Sequence, residues 1–172
     1  MRNVEIKARC NRHEIIRKLI STKNGRFVGT DFQTDTYFNV PNGRLKLRQG
    51  NIENSLIHYS RENKKDAKLS SVSLYQTISD STLKVVLKNA LGILVEVKKK
   101  REIYFIDNVK IHLDEIESLG MFVEIEVIDK DENIDMTILQ QTCNYYIELF
   151  EIKTADFIAI SYSDMLLEKE KS

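Results

Sequence analysis

The chain has 172 residues, with 26 Lys+Arg against 26 Asp+Glu, so its formal net charge is zero and nothing pulls it generally toward nucleic acid or acidic membranes. With 42% hydrophobic residues, one Pro and six Gly, it is no low-complexity chain, and its size suits one domain over 1–172. No apolar run approaches the ~18 residues of a membrane span, and Met1-Arg2-Asn3-Val4-Glu5 does not open a signal peptide. Cys10 and Cys143 form neither a CxxC nor a disulfide framework, which points to a reduced, cytoplasmic compartment.

Val4-Glu5-Ile6-Lys7-Ala8-Arg9 alternates, so Asn3, Glu5, Lys7 and Arg9 share one strand face and Val4, Ile6 and Ala8 the other. Asn11, three residues before Glu14, has capping-box spacing, and Ile15, Ile16, Leu19 and Ile20 give a short helix its apolar stripe. Residues 27–40 predict a long strand interrupted near Gly29; Pro41-Asn42-Gly43 then turns the chain into a strand at 44–48, making a hairpin. Strands predicted at 56–62 and 71–79 flank a charged loop at 63–68. Leu83, Val86, Leu87, Ala90 and Leu91 have helical spacing between Asp80 or Ser81 as cap and Gly92 as stop.

Three more strands follow at 93–107, 109–114 and 121–128, with turns at Asp107-Asn108 and Leu119-Gly120. After the polar run 129–133 the period changes. Ile138, Leu139, Thr142, Cys143, Tyr146, Leu149 and Phe150 mark one helix, and Ile158, Tyr162, Met165 and Leu166 a shorter one. The order is α+β, with about eight mostly hairpin-linked strands. A sheet of that size must manage its edges, and closure into a barrel is one way.

Several strands carry charge on one face: Arg44, Lys46 and Arg48; Lys110, His112 and Asp114; Glu124 and Glu126. Any one of these reads as the solvated side of a sheet. Together they read differently, because the helices need apolar strand faces to pack on. That puts the charged faces inside. Unmatched buried charge is costly, so a lumen of Lys, Arg and Glu suits a multiply charged anion with a divalent cation, bases meeting phosphate oxygens and Glu pairs a hard metal. Lys99 and Arg101 share parity with Val95, Val97 and Ile103, so either a bulge switches faces or both bases point inward among apolar neighbours. His13 reads as a surface helix residue, His58 as facing solvent or a neighbouring strand, His112 as a hydrogen-bond partner, and Tyr145, Tyr146 and Phe150 as core. There is no HExxH, P-loop, GxGxxG or GxSxG.

The opening Asn3-Val4-Glu5-Ile6-Lys7-Ala8-Arg9 resembles the Glu-x-Glu-x-Lys motif of the CYTH superfamily, the triphosphate tunnel metalloenzymes. Further blocks follow in that family's order: Thr34-Asp35-Thr36-Tyr37-Phe38, Gly43-Arg44-Leu45-Lys46-Leu47-Arg48, Tyr59-Ser60-Arg61, Lys99-Lys100-Arg101-Glu102, and a long block from Ile111-His112-Leu113-Asp114 to Glu124-Ile125-Glu126. The resemblance covers most of the chain and is nearest to class IV adenylyl cyclase-like proteins; thiamine-triphosphatases and inorganic triphosphatases belong to the same family.

The resemblance implies a closed eight-stranded antiparallel β-barrel, the triphosphate tunnel, with helices packed outside and Mg²⁺ or Mn²⁺ as cofactor. By motif position, Glu5, Glu124 and Glu126 would be metal ligands, and Lys7, Lys46, Arg48, Arg61, Lys99 and Arg101 would bind triphosphate, with Arg44 as a weaker candidate. Asp114, with Lys7, would serve at the reacting end. The blocks also favour Lys99 and Arg101 as the inward bases. The one departure is Asn3, which stands where the motif has its first Glu. The implied partner is a nucleoside triphosphate or polyphosphate, with no nucleic acid and no membrane. The implied activity is conversion of ATP to cyclic AMP and pyrophosphate, with triphosphate hydrolysis, or triphosphate binding with poor turnover, as alternatives.

Overall fold

The computed structural model describes residues 2–60, 71–79 and 82–172. Its strands are β1 (Arg2–Arg9), β2 (Arg26–Phe38), β3 (Arg44–Gln49), β4 (Ser55–Ser60), β5 (Ser71–Gln76), β6 (Ile93–Ile106), β7 (Val109–Ile116) and β8 (Gly120–Asp129). The helices are α1 (His13–Thr22), α2 (Thr82–Leu91), α3 (Met136–Leu149) and α4 (Tyr162–Glu170), with a 3₁₀ turn at Thr154–Asp156. The predicted loop at 63–68 and the predicted caps Asp80 and Ser81 lie outside the described residues.

All eight strands form one antiparallel sheet in the order β1-β8-β7-β6-β2-β3-β4-β5. It is an α+β half-barrel. The curl is strong enough that Asn3, Glu5 and Lys7 of β1 and Val72, Leu74 and Gln76 of β5, from the two opposite edges, line the same cavity. The expected closure is not seen: among the described residues no ladder joins β5 to β1. Part of the β1 edge is met otherwise, by an Ala8–Phe157 bridge and by the Ile158 N–H donating to the Lys7 carbonyl at 2.9 Å. The C-terminal segment thus takes up edge groups that a closing strand would have used.

Strand alternation divides the buried residues between two cores. On the convex side Val4, Ile6 and Ala8 of β1, Val109, Ile111 and Leu113 of β7, and Val123, Ile125 and Val127 of β8 pack under Ile16 and Ile20 of α1 and Leu139, Cys143, Tyr146 and Phe150 of α3. Period two on the sheet meets period 3.6 on the helices, and burying each aliphatic side chain contributes about 1.5–3 kcal/mol. Tyr145 points away and is exposed, unlike its predicted core partners Tyr146 and Phe150. The second core lies at one end of the concave side, where Tyr37, Val95, Val97, Ile116 and Phe122 meet Tyr162 and Met165 of α4. Helices therefore do not all pack outside: α1 and α3 do, whereas α4 fills one end of the concavity. Its start is fixed by a capping box, in which Ser161 Oγ accepts from the Asp164 N–H and Asp164 accepts from the Ser161 N–H, both at 3.1 Å.

The capping box expected at Asn11 does not form. Helix α1 starts one residue later, with Arg12 as an N-cap that makes no side-chain cap bond. Instead Arg12 donates to the carbonyls of Phe150 (2.7 Å) and Glu151 (2.9 Å), tying the start of α1 to the end of α3. That tie turns His13 inward, contrary to its reading as a surface residue. His13 is 2% exposed, with Nε2 2.9 Å from the Phe122 carbonyl, and burial lowers its pKa below the ordinary value. His58 is exposed, as its sequence position suggested, with Nε2 3.0 Å from the Asn42 carbonyl.

Candidate functional site

The concave face holds a cavity of about 700 Å³. Of the residues singled out from sequence, it is lined by Glu5 and Lys7 of β1, Lys46 and Arg48 of β3, Lys99 and Arg101 of β6, and Glu124 and Glu126 of β8, with Asn3 beside them. No bulge is needed to aim Lys99 and Arg101. The β6–β7 ladder runs without a register shift from Lys99–Ile116 to Ile106–Val109, so both bases share a face with Val97 and Ile103. Arg61 lies outside the described residues. Arg44 and Asp114 do not line the cavity.

The basic wall is organised by Asp35 of β2, which is 1% exposed. The 35↔48 register of the β2–β3 hairpin puts its carboxylate opposite Arg48. Arg48 donates through Nε and Nη2 at 2.9 Å each, Lys99 Nζ at 3.0 Å and Lys46 Nζ at 3.1 Å, so one carboxylate gathers three cations. Burial opposes the Asp35 charge, but Arg48, Lys46 and Lys99 hold its pKa well below the carboxylate range. The positive surplus falls on Lys99. Burial, together with the neighbouring Arg101, Arg48 and Lys46, lowers its pKa to about 7 against the support of Asp35.

Arg101 is backed in the same way. Its Nε and Nη2 donate to Asp114 at 2.7 and 2.5 Å, and Nη2 also reaches Glu124 at 2.7 Å. The Tyr162 hydroxyl of α4 closes the set by donating to Asp114 at 2.9 Å. Asp114 has no exposed surface, so it stands behind Arg101 and not at the cavity wall. Lys7 Nζ lies 3.2 Å from Glu124 and 4.0 Å from the Tyr162 ring centre. Arg44 turns to the cap of α4 instead, donating to Ser161 Oγ at 2.6 Å and pairing with Asp164 at 2.8 Å.

The carboxylates expected to converge do so across the β1–β8 ladder, where Glu5 stands opposite Glu126 and Lys7 opposite Glu124. Their environments differ. Glu124 is committed to Arg101, Lys7 and His112 Nδ1 (3.1 Å), and these outweigh burial to keep its pKa well below normal. Glu126 has its pKa raised by burial and by Glu5, and it accepts a hydrogen bond from the Asn3 amide. Among the described residues no three His, Cys, Asp or Glu are set to hold a metal. The part of the expected trio that fits a cation is the Glu5–Glu126 pair, where the facing Glu5 carboxylate disfavours the charge of Glu126.

Sequence reading left four residues here without a part. Asp35 sat inside a quoted block, but the hairpin register that sets it opposite Arg48 is centred between Pro41 and Asn42, and counting outward from Asn42-Gly43 would have paired it with Gly50. Lys110 lies on the charged face of β7 and lines the cavity, but no block contains it. Glu53 is a loop residue with no periodicity to place it. Tyr162 read only as one apolar point on a helical stripe.

A family model for the CYTH domain matches residues 1–159. Among solved structures, the PH1012 protein of Pyrococcus horikoshii OT3 aligns with a TM-score of 0.80 at 23% identity, over 94% of this chain and 98% of that one. A candidate adenylate cyclase of Vibrio parahaemolyticus aligns with a TM-score of 0.75 at 20% identity, over 95% and 97%. The Schizosaccharomyces pombe Pct1 RNA triphosphatase aligns with a TM-score of 0.54 at 10% identity, over 88% and 85%. No curated protein sequence matches the chain. At these identities the structural likenesses are likenesses of fold, and the family rests on the sequence match across most of the chain: the protein belongs to the CYTH domain family.

Proposed function

We propose that the protein is a divalent-metal-dependent enzyme that binds a nucleoside triphosphate in the concave cavity and converts ATP to cyclic AMP and pyrophosphate. The observation that carries this reading is the division of one cavity into a basic wall on β3 and β6 and a carboxylate pair on β1 and β8. In the proposed roles, Lys46, Arg48 and Lys99, gathered by Asp35, and Arg101, held by Asp114, neutralise phosphate oxygens, with Lys7 at the Glu124 end. Arg61 belongs with them by sequence block alone, and Arg44 is left to the α4 cap. A nucleoside is favoured over a bare polyphosphate because Ile57 and Tyr59 of β4 and Val72 and Leu74 of β5 give the same cavity an apolar wall beside the bases.

Glu5 and Glu126 would hold the metal, Mg²⁺ or Mn²⁺, with Asn3 against Glu126; Glu124 takes part as the counter-ion of Lys7 and Arg101. When bound, such an ion supplies positive charge at the phosphate oxygens. The chain's own groups orient the triphosphate and exclude water along the buried basic wall. Incubation with ATP, tripolyphosphate and thiamine triphosphate decides among the readings. Cyclic AMP with pyrophosphate supports the cyclase, and ADP with phosphate supports a triphosphatase. A ligand-induced thermal shift with no product supports the binding module that Asn3 favours, since it adds no carboxylate to the Glu5–Glu126 pair.

Two results are expected from this reading. Lys99 must carry its proton to hold an anion, and with a pKa near 7 it loses that proton as the pH rises. Tripolyphosphate affinity of the wild type should therefore fall from pH 6 to 8.5 more steeply than that of Lys99→Arg, whose guanidinium stays charged. Calorimetric curves that run parallel would show that Lys99 is not in the cradle. The second concerns Asn3, which is 7% exposed. Asn3→Glu sets a third carboxylate beside Glu5 and Glu126, so the metal-free protein should melt lower and gain more Tm from Mn²⁺ or Mg²⁺ than the wild type does. An unchanged metal response would remove Asn3 from the metal site.

A further inference from the structure

Strands β3 and β7 are separated in the sheet by β6 and β2, yet one side chain touches both. Glu53, in the loop between β3 and β4, accepts from Arg48 Nη1 of β3 at 3.1 Å and from Lys110 Nζ of β7. Its backbone is held in place by Asp31 of β2, whose carboxylate accepts from the Ile52 and Glu53 N–H groups at 2.9 Å each. The loop closes over Gly29, at φ +152°, where an added Cβ would lie 2.7 Å from Ile52 Cδ1. Gln33 Nε2 bridges Asp31 (2.7 Å) and Glu53 (3.2 Å). Lys110 and Arg48 together outweigh burial and hold the Glu53 carboxyl far below its ordinary pKa. Glu53 thus stays an anion inside the cavity.

We propose that Arg48 and Lys110 form a second anion subsite, that the Glu53 carboxylate occupies it in the ligand-free protein, and that a phosphoryl group of the bound polyphosphate displaces Glu53 from it. This rests on the triphosphate reading above. A carboxylate bridging a guanidinium and an ammonium offers the same paired oxygen acceptors as a phosphoryl group, with less charge. Arg48 belongs both to the Asp35 cluster and to this subsite, so a chain of phosphoryl groups seated on Lys46, Arg48 and Lys99 can place its next group against Lys110. Because Asp31 holds the loop by its backbone, Glu53 can leave by side-chain rotation with the loop in place. His112 lies in the same corner, within electrostatic reach of Glu53, and its buried Nε2 has no partner among the described residues.

The test is titration calorimetry of the full chain with tripolyphosphate in metal-free buffer, accompanied by melting curves without ligand. Glu53→Gln keeps the shape and removes the competing charge. It should bind tripolyphosphate about tenfold tighter while melting no higher than the wild type, tenfold being a modest part of what one like-charge contact at intermediate dielectric is worth. Lys110→Met in the Glu53→Gln background should abolish the gain. A merely structural role for Glu53 predicts the opposite, weaker binding together with a lower Tm. If the wild type binds and Glu53→Gln binds no tighter, or if the gain survives Lys110→Met, the subsite is wrong and the triphosphate reading stands. If neither the wild type nor Glu53→Gln binds tripolyphosphate, the triphosphate reading itself fails.

Discussion

Arg48→Ala should weaken tripolyphosphate binding by about 2 kcal/mol or more, roughly thirtyfold at the least, whereas Lys169→Ala should leave it unchanged. The two residues carry the same charge in unlike settings. Arg48 is 9% exposed, and two of its five N–H donors are fixed on Asp35, so its guanidinium is held rigid at the cavity wall. Pre-organisation of that kind spares a ligand the entropy of ordering a long side chain, and low solvent access strengthens each charged hydrogen bond. Lys169, by contrast, is exposed on α4 and donates to the Ser118 carbonyl at 2.7 Å. Removing Arg48 leaves Asp35 with Lys46 and Lys99, so its charge stays compensated and the variant should fold. Equal losses for the two alanine variants in a calorimetric titration would mean a diffuse attraction and no built cradle.

The contrast between Arg48 and Lys169 also marks what could be read from the sequence. Parity along a strand has a fixed period of two, so the residues alone put Lys99 and Arg101 in step with Val97 and Ile103, but a bulge stayed open until the family blocks favoured the inward pair; the unbroken β6–β7 ladder keeps that face. The facing of Glu5 and Glu126 was readable only through the family motif, because their pairing joins strands more than a hundred residues apart. Local end signals proved weaker. The Asn11–Glu14 spacing lost to Arg12, whose bonds to the Phe150 and Glu151 carbonyls depend on where α3 ends. Nothing in the period of residues 158–166 distinguishes a helix lying on the convex face from one that fills an end of the concavity. That choice is made by Tyr162, which needs a buried partner for its hydroxyl and finds Asp114. Glu53 was beyond reach for a like reason, since its position is set by the grip of Asp31 on the loop backbone.

Asp114→Asn should destabilise the fold by about 3–5 kcal/mol, the usual cost of breaking a buried ion pair from one side. By sequence block Asp114 would serve at the reacting end; its carboxylate lies buried behind Arg101, and the role we propose for it is to position that guanidinium. Both oxygens are taken, Oδ1 by Arg101 Nε and Oδ2 by Arg101 Nη2 and the Tyr162 hydroxyl, and no surface remains for a substrate. Asparagine offers one acceptor oxygen where two are needed and turns an amide toward a guanidinium, leaving Arg101 with Glu124 as its carboxylate. Since Arg101 holds the Asp114 carboxyl below its ordinary value, the pair's contribution is present above the unfolded carboxyl pKa of about 3.9. It is lost as the pH falls through the lower folded value, so the stability gap between wild type and Asp114→Asn should narrow in acid. Urea unfolding across pH measures this. The double variant Arg101→Met/Asp114→Leu, which removes both charges, should be less destabilised than the sum of its single changes. If Asp114→Asn instead kept its stability and tripolyphosphate affinity while losing turnover alone, the carboxylate would be acting on the substrate, and its place behind Arg101 would have to be given up.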